Sequence, residues 1–147
     1  MKISAKGRYG LAAMAYLARS YASGSPVTII SISDKLGISK IYLEQVFSLL
    51  KRAHLVHSIK GSQGGYQLAR EPRAISAYDI LASIELSLME KAAPASEKLP
   101  SLDQALSSKV FEPLDASIKD TLSQVHLDDI LTAIDEQKDA DSLMYFI

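Results

Sequence analysis

Residues 29–68 run IISISDKLGISKIYLEQVFSLLKRAHLVHSIKGSQGGYQL, and the order of their signals decides the fold. Ile29, Ile32, Ser33 and Leu36 share one face of a short helix over 29–36. Gly37 is a natural left-handed stop, after which Ile38 can turn back to the core. Ser39 is expected to cap a longer helix over about 40–53. Its Leu43, Val46, Phe47 and Leu50 recur at i, i+3, i+4 and i+7, the spacing of a buried face. Two β-like runs, 55–60 and 66–69, are joined by Gly61-Ser62-Gln63-Gly64-Gly65, a hairpin loop. Helix, turn, helix and glycine-tipped hairpin together make a winged helix-turn-helix.

Outward from this stretch the pattern stays helical. Ser4 can cap a first helix running to about Tyr21, with Leu11, Met14, Ala15, Leu17 and Ala18 as its apolar stripe. Residues 23–26 form a loop, and Val27 is placed to start a short strand. Pro72 ends the wing region, and Ser76 caps a fourth helix to about Leu88. Residues 92–101 read as a linker. Beyond it Leu102, Leu106, Val110, Leu114, Ile118 and Leu122 recur every four residues, with Phe111 beside them. That is an amphipathic helix, which Pro113 should kink or divide. Its apolar stripe is expected to meet its copy in a homodimer; the alternative is that it folds back on its own domain. A short helix over 127–134, a polar tether over 136–141 and an apolar terminus over 143–147 complete the chain. The expected architecture is mainly α with a small β wing. It comprises a winged helix-turn-helix domain (1–91), a linker (92–101), dimerisation helices (102–135) and a tail (136–147).

Charge separates along the chain. Residues 1–73 carry eleven Lys/Arg and three acids, a net +8; residues 74–147 carry five against fourteen, a net −9. A basic half points to a polyanionic partner, and an acidic half must face away from it. The recognition position is the longer helix, whose exposed arc offers Ser39, Lys40, Ile41, Glu44, Gln45 and Ser48 toward base edges. Glutamine can bond adenine twice, glutamate can accept from the cytosine amine, and isoleucine can touch a thymine methyl. A carboxylate near phosphates weakens nonspecific binding, so Glu44 makes sense as a reader of sequence. Lys60, with Gln63 and Gly64 in the wing loop, is placed to approach the sugar-phosphate chain. Lys2, Lys6, Arg8, Lys51 and Arg52 are expected to position phosphates without reading bases.

Several classes drop out. The chain has no cysteine, which removes disulfides, thiol sensing and thiolate-held zinc or iron–sulfur clusters. His54, His57 and His126 have no metal-ligand spacing with the carboxylates, and no metal is expected. No apolar run approaches the roughly 20 residues of a membrane span, and no signal peptide is visible, so a cytoplasmic location is expected. No phosphate loop, dinucleotide fingerprint or nucleophile elbow occurs, which argues against an enzyme. A winged helix that only docks proteins is the competing reading; the +8 half argues against it.

Five pieces carry a resemblance: residues 1–10 (MKISAKGRYG), 38–45 (ISKIYLEQ), 60–66 (KGSQGGY), 75–80 (ISAYDI) and 125–131 (VHLDDIL). They resemble the Rrf-two family of winged-helix regulators, which includes iron–sulfur (IscR), nitric-oxide (NsrR) and cysteine-metabolism (CymR) types. The resemblance implies a dimeric bacterial transcription factor, usually a repressor, on a pseudo-palindromic operator of double-stranded DNA. It places the family's groove-facing Glu-Gln pair on Glu44 and Gln45, and its wing cation on Lys60. Cluster-binding members carry three cysteines between the fourth helix and the dimer helix, whereas residues 86–102 here have none. The chain is thus most similar to the cluster-free, CymR-like branch, with no cofactor expected. The terminus Tyr145-Phe146-Ile147 is similar to the aromatic, isoleucine-ended tail of that branch. This implies a tail that docks on cysteine synthase (O-acetylserine thiol-lyase) by carboxylate capture; the alternative is packing onto the dimer core. A family regulator answering to another signal stays open.

Overall fold

The computed structural model describes residues 3–62, 64–88, 90–91 and 93–145. Helix α1 spans Ala5–Ala18 and is capped by Ser4, whose hydroxyl accepts from Gly7 N at 3.1 Å. It stops three residues before the expected Tyr21. From Arg19 the backbone bonds tighten to a spacing of three, Ser20 N to Leu17 O at 3.1 Å and Tyr21 N to Ala18 O at 3.2 Å. Ala13, Met14 and Leu17 are buried along its inner face.

The helix-turn-helix follows. Thr28 caps α2 (Ile29–Leu36) by accepting from Ser31 N at 3.1 Å. Gly37 ends it at φ 68°, a conformation that costs an L side chain free energy. Ser33 then fixes the turn by donating its hydroxyl to Ile38 O at 2.7 Å, which brings the Ile38 side chain into the core. Helix α3 spans Lys40–Arg52, and Leu43, Val46, Phe47 and Leu50 are fully buried, as their spacing requires. Its exit is a left-handed residue, His54 at φ 60°. There His54 N bonds Lys51 O and Leu55 N bonds Leu50 O, both at 3.0 Å.

Strands β1 (Val56–Ile59) and β2 (Gly65–Leu68) pair antiparallel, with Val56 opposite Leu68 and Ile59 opposite Gly65. Val27 adds a single bridge to Tyr66, bonding in both directions at 2.9 and 2.8 Å. The Tyr66 ring lies on Phe47, centroids 4.6 Å apart, and so seats the wing on α3. A 3-10 turn (Pro72–Ala74) leads to α4 (Ala77–Ile84), which starts with a reciprocal capping box between Ser76 and Asp79. It ends one turn before the expected Leu88. Glu85 leaves the helix at φ −89°, ψ 78°, and its carboxylate accepts from Ser4 N at 2.8 Å and from the Ser4 hydroxyl.

The second half differs most from expectation. Helix α5 (Pro100–Leu106) begins inside the stretch expected to be a linker, with Pro100 in its first turn. Asp103 reaches back to accept from Ala95 N at 2.8 Å and ties that stretch down. A π-helical segment, Ser107–Phe111, joins α5 to α6 (Glu112–Ser123). Proline has no N–H for the carbonyl four residues back, and its ring crowds that carbonyl. The disturbance from Pro113 shows one turn upstream as a π bulge, and helical backbone continues through the proline. Ser76 and His126 then form an antiparallel bridge, with Ala77 N to Val125 O at 2.7 Å and Leu127 N to Ile75 O at 3.0 Å. The last element, α7, spans Leu127–Tyr145 as one 19-residue helix. The expected short helix and polar tether are therefore continuous: residues 135–142 lack glycine and proline, and Gln137 donates to Asp141 at 3.1 Å along one face. Leu127 is fully buried in the same core as α1 and α3, with Ile130 and Leu131 packed against it.

Candidate nucleic-acid interface

The four core residues of α3 fix which way its other side points. Ser39, Lys40, Ile41, Glu44, Gln45, Ser48, Lys51 and Arg52 are all exposed. Ile41 is 69% exposed, an apolar side chain with nothing of its own chain to cover it. Ser39 sits at the N-cap position, but its side chain makes no cap hydrogen bond, contrary to expectation. Its backbone (φ −53°, ψ 133°) starts the helix, and its hydroxyl remains free for an outside partner.

Charge on this face is partly organised before any ligand arrives. Lys40 Nζ lies 3.9 Å from Glu44 Oε1, an i,i+4 pair with both side chains more than half exposed. Such a pair is weak in water and easily exchanged for a phosphate and a base edge. Lys51, expected only to meet phosphate, donates to Ser58 Oγ at 3.0 Å and thereby links the end of α3 to β1. Sequence gave no local sign of that bond, because the partners lie on different elements.

The hairpin presents Lys60 at an exposed position next to Gly61. Gly65 sits at φ 152°, where a Cβ would come within 2.6 Å of the Val27 carbonyl. Gly64 is packed so that a Cβ would strike Ile59 O. Both glycines are thus required by the hairpin whatever else they touch. On α1, Arg8 is exposed and Lys6 half-buried; Lys6 shares a shallow cleft with Ser4, Tyr42, Glu85 and Glu90. Lys2 and Gln63 lie outside the described residues.

Two features escaped the sequence. Tyr42, 41% exposed, stacks edge-on against Tyr9 with centroids 5.4 Å apart, bracing α3 against α1. Glu85 closes the N-terminus of α1 beside Lys6. Among the described residues no group of three His, Cys, Asp or Glu could hold a metal, and no helix is long and apolar enough to cross a membrane.

The apolar stripe of the second half is largely uncovered. Leu102, Val110, Phe111 and Leu114 are exposed, Leu114 by 55%, whereas Leu106, Ile118 and Leu122 are half-buried. Lys119 sits over the Tyr78 ring at 5.5 Å, so α6 rests on α4 there. At the far end Leu143 and Met144 are exposed on α7. The Tyr145 side chain, Phe146 and Ile147 lie outside the described residues.

Known proteins share this arrangement. The family model Rrf2, described as an iron-dependent transcriptional regulator, matches residues 3–133. The transcriptional regulator CymR of Bacillus subtilis is 36% identical over the full length of both chains. The regulator IscR of Cereibacter sphaeroides is 38% identical over 89% of this chain and 87% of its own. Among solved structures, CymR of B. subtilis, titled the global cysteine regulator, superposes with a TM-score of 0.75 at 34% identity, covering 90% of this chain and 98% of its own. IscR of T. potens gives 0.74 at 37% identity, covering 93% and 90%. These relatives are named transcriptional regulators, not enzymes. With its helix-turn-helix, wing and long second-half helix, the chain belongs to the Rrf2 family of winged-helix transcriptional regulators.

Proposed function

We propose that the protein is a dimeric, sequence-specific repressor of cysteine or sulfur metabolism genes that works without an iron–sulfur cluster. The observation that carries it is the exposed arc of α3, bearing Ile41, Glu44 and Gln45 over a fully buried opposite face. In this reading Ser39, Lys40, Ile41, Glu44, Gln45 and Ser48 face bases. Lys2, Lys6, Arg8, Arg52 and the wing residues Lys60, Gln63 and Gly64 meet the sugar-phosphate backbone, with Lys51 braced against Ser58. Two copies joined through Leu102, Leu106, Val110, Phe111, Leu114, Ile118 and Leu122 would present two such arcs. The operator is then a pseudo-palindrome with half-sites about one helical turn or more apart.

The donor set does not fit a cluster: cysteine is absent from the sequence, including residues 86–102. This and the likeness to CymR support the cysteine-metabolism branch. The tail reading adds cysteine synthase as a partner captured through Tyr145, Phe146 and Ile147. Exposed Leu143 and Met144 on the last turns of α7 support it, since they leave an apolar end available for a partner. A helix through Tyr145 shortens the extended peptide that such capture needs, so the partner must take the chain end itself or unwind the last turn.

Selection of bound duplexes from a randomised pool, with and without cysteine synthase and near physiological salt, tests the reading. An enriched palindrome supports specific regulation, and sharper enrichment with the enzyme supports the cysteine branch. Removal of Tyr145 to Ile147 should abolish the enzyme's effect and leave operator binding intact. No enrichment in either arm would point first to a missing small-molecule effector and then to a winged helix that docks proteins only.

A further inference from the structure

A groove of about 580 Å3 runs between the reading half and the dimer half. Its walls come from α1 (Leu11, Ala15), the end of α2 (Leu36), the end of α6 (Leu122) and α7 (Ile134). The size and apolar lining are those of a small-molecule site. Three polar side chains reach its rim: Tyr16, Arg19 and Thr121. None of them makes a side-chain hydrogen bond or ion pair among the described residues; Arg19 and Thr121 are exposed and Tyr16 is half-buried. Arg19 also borders the adjoining cleft, lined by Asp128, Glu71 and Arg73. Glu71 is committed to Arg73 at 3.1 Å, and Asp128 forms no ion pair with Arg19.

An apolar trough with one guanidinium and two hydroxyls at its rim is complementary to an amphiphile with a single negative end. Guanidinium holds carboxylate in a two-point fork, and hydroxyls at the rim are further donors. We infer that this groove binds a small amphiphilic monocarboxylate, its apolar body against Leu11, Ala15, Leu122 and Ile134 and its acid group on Arg19. Such a ligand touches α1 and α2 on one side and α6 and α7 on the other. It can therefore favour one arrangement of reading half against dimer half, to the extent that it binds the two arrangements differently.

The test uses the full-length protein at fixed concentration and three eight-carbon probes below their micelle thresholds: octanoate, octanol and octylamine. Octanoate should raise the melting temperature saturably by about 2–4 °C, with octanol giving less than half and octylamine none. Arg19→Gln, at an exposed position, should keep the ligand-free melting temperature and reduce the octanoate shift to that of octanol. Ala15→Phe, which fills the trough, should remove both shifts. Equal shifts from octanoate and octanol, or an undiminished octanoate shift in Arg19→Gln, would overturn the inference. So would the absence of any shift, which would mean that the apolar stripe of a second copy closes the groove. No DNA enters the measurement, so its failure leaves the regulator reading standing.

Discussion

His54 offers a test of the backbone account at the point where the recognition helix hands over to the wing. Its φ of 60° is unique among the described non-glycine residues. The left-handed position is imposed by the closing bonds of α3, from His54 N to Lys51 O and Leu55 N to Leu50 O. An L residue there costs about 1–2 kcal/mol. Glycine avoids that strain but loses about 0.5–1 kcal/mol through its freer unfolded chain. His54→Gly should therefore stabilise the protein by about 0.5–1 kcal/mol, the difference between those two effects. Gly37→Ala is the mirror experiment. Its φ is 68°, and a Cβ would meet nothing within 4 Å, so no clash is added to the conformational cost. It should destabilise by about the same amount. Urea unfolding at one fixed protein concentration checks both, because the proposed dimer would make the midpoint concentration-dependent. For a chain of this size each kcal/mol also moves the melting temperature by about 2–4 °C. If His54→Gly destabilises, or if the two substitutions shift stability in the same direction, the strain argument is wrong. His54 would then contribute through its side chain.

Three further outcomes separate the assigned roles. Glu44→Ala should change which bases are preferred, whereas Lys6→Ala should weaken all duplexes alike and flatten the log–log salt slope by about 0.9, as measured by titration across salt concentrations. Leu114→Asp on the uncovered stripe should give monomers in sedimentation while far-ultraviolet dichroism shows the winged domain still folded; a dimer that persists would move the interface elsewhere. Phe47→Ala should cost about 3–5 kcal/mol, seen by calorimetry, because the ring is fully buried and also carries Tyr66 of the wing.

Much of the reading half was legible because its signals are local. Gly37 stops α2, and the spacing of Leu43, Val46, Phe47 and Leu50 turns α3 inward, which leaves Glu44 and Gln45 on the open side. The apolar repeat in the second half was equally local. What escaped depends on distant partners or on displaced effects. At the end of α4 Glu85 bonds Ser4, 81 residues away, and no window around Glu85 contains that information. Pro113 announced a disturbance but not its place, since the lost bond lies one turn upstream in Ser107–Phe111. The polarity of the stretch after Ile134 suggests a tether, but polarity excludes burial, not helix, and no breaker interrupts it. Lys51 and Ser58 meet only because the hairpin returns beside α3.

The bridge between Ser76 and His126 has a consequence for how the chain comes to be. Leu127, directly after that bridge, sits in the core beneath α1 and α3 rather than in a separate unit. A nascent chain that has emerged only as far as residue 125 holds the whole helix-turn-helix and wing, yet has a vacant seat where Leu127 belongs. Domains ordinarily fold in the order they leave the ribosome. Here the helix-turn-helix gains its last core residue only after α6 has emerged, so a chain released before Leu127 should be less stable than the whole. A proteolytic cut anywhere in 93–99 should likewise leave two pieces still clasped by one core.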